Sequence, residues 1–195
     1  GDSLAIHHNR IINTYQQVNP NFVDATILSN HDQNRIMSEV NGDVNKAKVA
    51  AALLFTLPGA PYVYYGEEIG MQGKKPDELI REPFLWDTKA NDDCRTSWVT
   101  SEHSTEQNVK PMAQQAQDPN SLLNHYKAYI RLRNSSKALT HGELEPVQMD
   151  NRAVSAFMRT MADESVLVLH NLSGKEVSVA IPASLLAGAP QLLAD

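Results

Sequence analysis

Cysteine is almost absent: Cys94 is the single one in 195 residues, which excludes an internal disulfide framework and leaves an unpaired thiol in a loop. Positive charge is also scarce. Seventeen Lys and Arg stand against 23 Asp and Glu, a net charge of −6 with no basic cluster, and this argues against a nucleic-acid partner. No apolar run approaches the roughly 20 residues needed to span a bilayer; the best covers 49–57. Residues 1–3 show no charged region followed by an apolar one, so the start reads as a boundary or a processed end rather than a leader. Internal repeats and low-complexity tracts are lacking too. No metal site is evident, because the adjacent His7 and His8 diverge on a helix. What remains is globular: 42% hydrophobic and 21% charged residues, enough for one compact domain or two small ones.

Residues 4–18 place Leu4, Ile11, Ile12, Tyr15 and Val18 at helical spacing, and Asn19-Pro20-Asn21 ends the pattern. Residues 22–29 form a short apolar run with β-branched members, which predicts a buried strand. A second helix is expected over 44–57, rich in Ala and Leu, with Asp43 as N-cap and Pro58-Gly59 as stop. Another strand follows over 61–65. Helix, strand, helix, strand, with consecutive apolar positions in the strands, suits a parallel sheet covered on both faces. The pattern then dissolves over 70–119 into a long polar excursion, a length that is often functional. A helix returns near Pro119 and runs to about 134.

Beyond residue 135 the periodicity changes from helical to alternating. Residues 153–160 alternate, and 166–170 and 176–181 flank Asn171-Leu172-Ser173-Gly174, which carries a hairpin signal. The chain therefore divides into an α/β part over 1–138 and an antiparallel all-β part over 139–195.

Three blocks narrow the reading. The segment Phe22-Val23-Asp24-Ala25-Thr26-Ile27-Leu28-Ser29-Asn30-His31-Asp32-Gln33-Asn34-Arg35 resembles the last conserved region of the α-amylase superfamily, glycoside hydrolase family 13, in which a strand ends in Asn-His-Asp. Residues 57–71, from Leu57-Pro58-Gly59 through Tyr64-Tyr65-Gly66-Glu67-Glu68, are similar to the segment that forms that family's eighth barrel strand. Ile80-Arg81-Glu82-Pro83-Phe84-Leu85-Trp86-Asp87 resembles the Arg-x-Pro-x-x-Trp element of its bacterial α-amylase and oligo-1,6-glucosidase-like branch. The blocks occur in the family's order. The resemblance implies the last βα units of a (β/α)8 barrel over 1–138, incomplete in this chain, and a C-terminal antiparallel β-sandwich over 139–195.

In such a barrel the catalytic groups stand at the C-terminal ends of strands, where His31 and Asp32 fall. Retaining glycoside hydrolysis uses two carboxyl groups about 5–5.5 Å apart, and its oxocarbenium-like transition state gains from a further fixed carboxylate. By resemblance Asp32 is that third, transition-state-stabilising carboxylate, and His31 hydrogen-bonds the hydroxyls of the glucose at the cleavage point. Arg35 either orients the loop or touches substrate, and Trp86 either stacks on a sugar or anchors the excursion. A turn Asp and a satisfied buried His are the structural alternatives for the first two. Glu67 and Glu68, neighbours in a strand, would point to opposite faces and so do not form a catalytic pair. Tyr64 and Tyr65 read as barrel packing.

The family's nucleophile Asp and acid/base Glu belong to blocks on earlier strands, and no carboxylate here stands in a matching context. The expectation is a part of an α-amylase-type enzyme acting on α-1,4 bonds of starch or malto-oligosaccharides, inactive over these residues alone. The rivals on the same scaffold are an α-glucosidase, an oligo-1,6-glucosidase or a transglycosylase. A non-catalytic carbohydrate-binding module is a further rival, weakened because Phe157 is the only aromatic in 139–195. The implied partners are an α-glucan and the N-terminal part of the barrel. Open strand edges also predict oligomerisation. No cofactor is expected in this chain; calcium in the parent is implied only through ligands lying elsewhere. Location is left open among secreted, periplasmic and surface-attached in a bacterium.

Overall fold

In the computed structural model, which describes residues 2–185 and 190–194, α1 (Asp2–Val18) leads into β1 (Ala25–Ile27). The short α2 (Ile36–Glu39) and the longer α3 (Val44–Thr56) follow, and the chain returns through β2 (Ala60–Tyr62) beside β1. Asp43 caps α3 as its position predicts: Oδ1 accepts from the N–H groups of Asn45 and Lys46 at 3.0 and 3.1 Å, satisfying donors that a helix start leaves open. Gly59 makes the return to β2 feasible. Its φ of 111° lies in the left-handed region, and a Cβ there would sit 2.6 Å from the Asp24 carbonyl, a space only glycine leaves free.

Both strands are shorter than the apolar runs that announce them. Val23, Ile27, Tyr62 and Val63 keep much of their surface open. The expected strand over 61–65 stops at Tyr62 because Tyr64 and Tyr65 turn aside onto Arg35. Glu67 and Glu68 are not strand neighbours either: Glu67–Ile69 is a 3-10 turn between left-handed Gly66 and Gly70.

The excursion over 70–119 contains α4 (Asp77–Ile80) and α5 (Met112–Gln117). The returning helix, α6 (Leu122–Ser135), starts after Ser121, whose Oγ accepts from the Asn124 N–H at 3.1 Å. A short helix with no sequence signature of its own, α7 (Lys137–His141), is capped by the Ser136 side chain. A three-stranded antiparallel sheet in the order β3-β4-β5 follows, built from β3 (Glu143–Val147), β4 (Val154–Met161) and β5 (Glu164–Asn171).

The hairpin lies elsewhere than the Asn171–Gly174 signal indicates. Met161 pairs with Glu164, so the tight turn is Ala162-Asp163, with Ala162 at a φ of 52°. Asn171 does make a local turn, accepting from the Ser173 N–H at 3.0 Å and donating to the Lys175 carbonyl at 2.7 Å. Residues 176–181 nevertheless join no ladder; Val177 and Val179 pack by their side chains against Met149, Val154 and Ala156. The expected all-β part, 139–195, also includes 186–189 and 195, which lie outside the described residues.

The chain forms two compact units that do not follow the sequence divide. One comprises 1–25, 55–60 and 130–195; the other comprises 26–54 and 61–129. The first has a core of Ala5, Leu139, Leu144, Phe157 and Val168. Two buried arginines close the end of α3 within it. Arg133 donates to the carbonyls of Phe55, Leu57 and Gly59 at 2.7, 2.8 and 2.6 Å. Arg159 donates to those of Thr56 and Gly142 at 2.5 and 2.8 Å. Cations suit a helix C-terminus, where the orphan carbonyls carry partial negative charge. The second unit has a core of Ile69, Met71, Leu85, Val109 and Leu123, and it holds every residue of the site.

Candidate active-site corner

The corner following β1 is built around Arg35. Its side chain is 0% exposed, with Nε donating to the Ile80 carbonyl at 3.0 Å and Nη1 to the Tyr65 carbonyl at 2.6 Å. The guanidinium also lies 4.6 Å from the ring centroids of both Tyr64 and Tyr65, an arrangement that favours a cation over an aromatic face. The Arg35 N–H donates to the Gly73 carbonyl at 3.0 Å. One side chain thus ties the loop after β1 to the segment after β2 and to the end of α4.

Beside it Ser29 donates a hydrogen bond to the Glu67 carboxylate. Burial pushes the Glu67 carboxyl up to about 7, against the opposing pull of Ser29 and Arg35. Glu67 is buried beneath the corner and supports it through Ser29, while Glu68 is half-buried. Burial raises Glu68 as well.

Above this base His31 and Asp32 face solvent, their side chains 66% and 63% exposed, with Nε2 and Oδ2 3.3 Å apart. Asn30 shapes the turn by accepting from the Asp32 N–H at 2.9 Å. Arg81 fixes it from α4's end: Nε and Nη2 both donate to the His31 carbonyl, at 3.0 and 2.8 Å. The same Nη2 lies 3.5 Å from Asp32 Oδ1 and 2.6 Å from Asp77 Oδ2. Asp77 is in turn paired with Lys75, and these cations hold its carboxyl below the usual range. The outcome is an open carboxylate and imidazole on a backbone clamped from below and from the side. Such a pair can accept from and donate to vicinal hydroxyls, and the carboxylate can stabilise a neighbouring positive centre.

The residues expected to form the site fall into three positions. His31 and Asp32 are side by side at the surface. Arg35 is underneath, where its groups reach carbonyls and aromatic faces. Trp86 is 48% exposed and packs on Phe84 with centroids 4.4 Å apart. Together with Tyr65, Arg81 and Trp98 it lines a cleft of about 270 Å³.

Sequence reasoning did not single out Arg81, Asp77, Glu82 or Trp98. Arg81 and Glu82 lie inside the quoted Arg-x-Pro block, which was the available signal. Glu82 is fully buried and accepts from the N–H groups of Glu102, His103 and Ser104 at 2.6, 2.9 and 2.6 Å, so it anchors the far side of the excursion. Among the described residues no three His, Cys, Asp or Glu side chains converge on a metal-sized site. No helix among them is long and apolar enough to cross a membrane.

Comparisons with known proteins assign the family. The model of the alpha amylase catalytic domain matches residues 3–142, and that of the alpha-amylase SusG C-terminal domain matches 154–193. Alpha-amylase 3 of Dictyoglomus thermophilum is 39% identical over 155 residues, covering 80% of this chain and 31% of that protein. Alpha-amylase SusG of Bacteroides thetaiotaomicron is 37% identical over 187 residues, covering 89% and 26%. Among solved structures, the alpha-amylase from H. orenii superposes with a TM-score of 0.77 at 38% identity, over 84% of this chain and 33% of that one. The chain spans about a third or less of the length of these three relatives. A strand end bearing Asn-His-Asp, the clamped block after it and these two domain matches lead to one assignment: the chain belongs to the alpha-amylase family of glycoside hydrolases, and carries part of its catalytic domain followed by a SusG-type C-terminal domain.

Proposed function

We propose that these residues are part of a retaining α-glucan hydrolase acting on α-1,4 bonds of starch or malto-oligosaccharides, in which Asp32 stabilises the transition state and His31 binds sugar hydroxyls. The observation that carries the reading is the clamped, solvent-open Asp32 beside His31 at the end of β1. Asp32 carries negative charge toward the sugar ring as the glycosidic bond breaks and the anomeric carbon becomes cationic. His31 fixes the ring by hydrogen bonding to its hydroxyls. Arg81 positions both, and Arg35 holds the loop from beneath without reaching the surface. The nucleophile and the acid/base come from the rest of the barrel, so the 195 residues alone hydrolyse nothing. The alpha-amylase names of the two relatives at 39% and 37% identity support starch over α-1,6-linked substrates.

Assaying the longer enzyme on starch, maltose and isomaltose tests the linkage. Fastest turnover of starch is expected, and fastest turnover of isomaltose would overturn it. The open edges of β1 and β2 pair, in this reading, with the remaining barrel strands or, in their absence, with another copy. Light scattering on these 195 residues should show oligomers; a monodisperse monomer contradicts that pairing.

A further inference from the structure

Three polar side chains in the base of the corner are almost completely buried, Arg35 at 0%, Ser29 at 1% and Glu67 at 2% exposed. Further barrel strands packed on this unit would deepen that burial. Within the base Arg35 Nη2, a donor, and Glu67 Oε2, an acceptor, have no hydrogen-bond partner among the described residues. Buried polar atoms are nearly always paired, so such a pair of exceptions calls for an explanation. The remaining atoms of both groups are engaged. Arg35 uses Nε on the Ile80 carbonyl and Nη1 on the Tyr65 carbonyl, and Glu67 uses Oε1 on Ser29. The guanidinium also lies close to the Glu67 turn: a Cβ on Gly66, the residue before it, would sit 3.1 Å from Arg35 Nη1.

The unpaired donor and the unpaired acceptor suit each other best when Glu67 is ionised. A neutral carboxyl makes little demand on a cation, whereas a buried carboxylate short of donors is costly. A guanidinium N–H is the strongest partner such a carboxylate can take. Burial, opposed by Ser29 and Arg35, brings Glu67 to about 7, so both of its forms are populated near neutrality. The other groups facing it cannot replace Arg35. Tyr64 and Tyr65 lie against the guanidinium itself. Burial, together with both carboxyls, pushes Tyr126 of α6 up, so it stays neutral. Glu68 is raised by burial too, and its Oε2 also lacks a partner.

We propose that Glu67 is a positioning residue whose ionisation switches Arg35 between two sets of partners and thereby moves the corner. With Glu67 neutral, Arg35 stays on the Tyr65 and Ile80 carbonyls and holds the loop from beneath. With Glu67 ionised, Arg35 Nη2 turns to Oε2 and the bond from Nη1 to the Tyr65 carbonyl is released. Ser29 and Arg35 anchor the two ends of the segment that carries His31 and Asp32, so a shift of both anchors displaces the pair between them. The neutral form is the competent one, and sugar is held less well as Glu67 ionises. This rests on the reading of the corner as an α-glucan site.

The Arg35 side-chain N–H resonances of the nitrogen-labelled 195-residue chain, followed from pH 5.5 to pH 8.5 without sugar, test the exchange itself. They should shift with a midpoint near 7, stay still in Glu67→Gln and still shift in Glu68→Gln. The His31 and Asp32 amides should differ between the unaltered chain and Glu67→Gln at pH 8 more than at pH 5.5. In the longer enzyme, kcat/KM on a malto-oligosaccharide reports the free enzyme's groups. The ratio of Glu67→Gln to unaltered enzyme cancels the titrations the two share. That ratio should rise about tenfold from pH 5.5 to pH 8, because one unit above 7 only about a tenth of Glu67 stays neutral. Arg35 resonances that do not move in the unaltered chain would overturn the proposal and leave the reading of the corner standing. So would a transition lost in Glu68→Gln but kept in Glu67→Gln, or amides that ignore an Arg35 transition. Moving resonances and amides with a flat ratio would uphold the switch and tell against the corner as the sugar site.

Discussion

Both compact units bury arginine, but to different ends. In the unit comprising 26–54 and 61–129, Arg35 lies under two tyrosine rings and near the buried Glu67, and what it holds in place is a corner that stays open to solvent. In the unit comprising 1–25, 55–60 and 130–195, Arg133 and Arg159 spend their donors on carbonyls at the end of α3 and at Gly142, and what they hold is closed structure. The first arrangement places an open corner on a buried, charged base; the second closes up the fold. The difference shows that a buried cation by itself says nothing about a site. What the cation holds in place, and whether that faces solvent, decides it.

The largest effects should come from removing these cations. Arg35→Ala orphans the carbonyls of Tyr65 and Ile80, and Arg133→Ala orphans three at the end of α3. Each should cost several kcal/mol, since every buried carbonyl left without a partner costs about 1–3 kcal/mol. Urea unfolding separates them: Arg35→Ala should lower the transition seen by tryptophan fluorescence, and Arg133→Ala the one seen by amide exchange in β4 and β5. If each substitution lowered both transitions equally, the two-unit comparison would fail.

Acid and base should then act on the two units in opposite directions. His170 is buried, with Nε2 2.9 Å from Thr56 Oγ1, and burial lowers its pKa to about 4. Its folded value is below the unfolded 6.5, so the unfolded state binds more protons between them. The stability this neutral ring contributes is complete above about 6.5 and is lost as pH falls toward 4. Glu67 is raised from 4.5 to about 7, so the folded state binds more protons in that interval. Its unit is most stable below 4.5 and loses stability as pH rises to about 7. Each contribution is roughly 3 kcal/mol at most. Melting followed at pH 4.5 and pH 7 by the same two probes should therefore shift in opposite senses. Glu67→Gln should flatten the fluorescence-detected dependence alone.

The smallest effect sharpens the picture of the β-sheet. Ala162 holds a φ of 52° in the β4–β5 turn, a conformation that costs a non-glycine residue about 1 kcal/mol. Ala162→Gly should raise stability by about that amount in thermal unfolding, and a loss of stability would mean that the turn differs from the one described.

The parts legible in the sequence were those decided by near neighbours. Asp43 and the Ala-rich run after it specify α3 within a few residues, and the Asn-His-Asp corner was legible as a linear motif. The hairpin was misplaced because Asn171–Gly174 has turn chemistry, whereas Ala162-Asp163 has none; its turn is imposed by the pairing of β4 with β5. The strand over 61–65 was overextended because its aromatic pattern cannot show that Tyr64 and Tyr65 would be drawn to Arg35. Arg81 stands in a motif that gives it no role of its own, since the carbonyl it grips is 50 positions away. Trp98 carried no signal beyond being tryptophan.

Replacing Asp32 by Asn in the longer enzyme, with kcat and KM measured on a malto-oligosaccharide, is the most direct test of the account. The side chain keeps its size and loses its charge. The account predicts a fall in kcat of about 10²–10³, the usual scale for removing one preorganised stabilising group, with the unfolding curve unchanged. An unaltered kcat would contradict it.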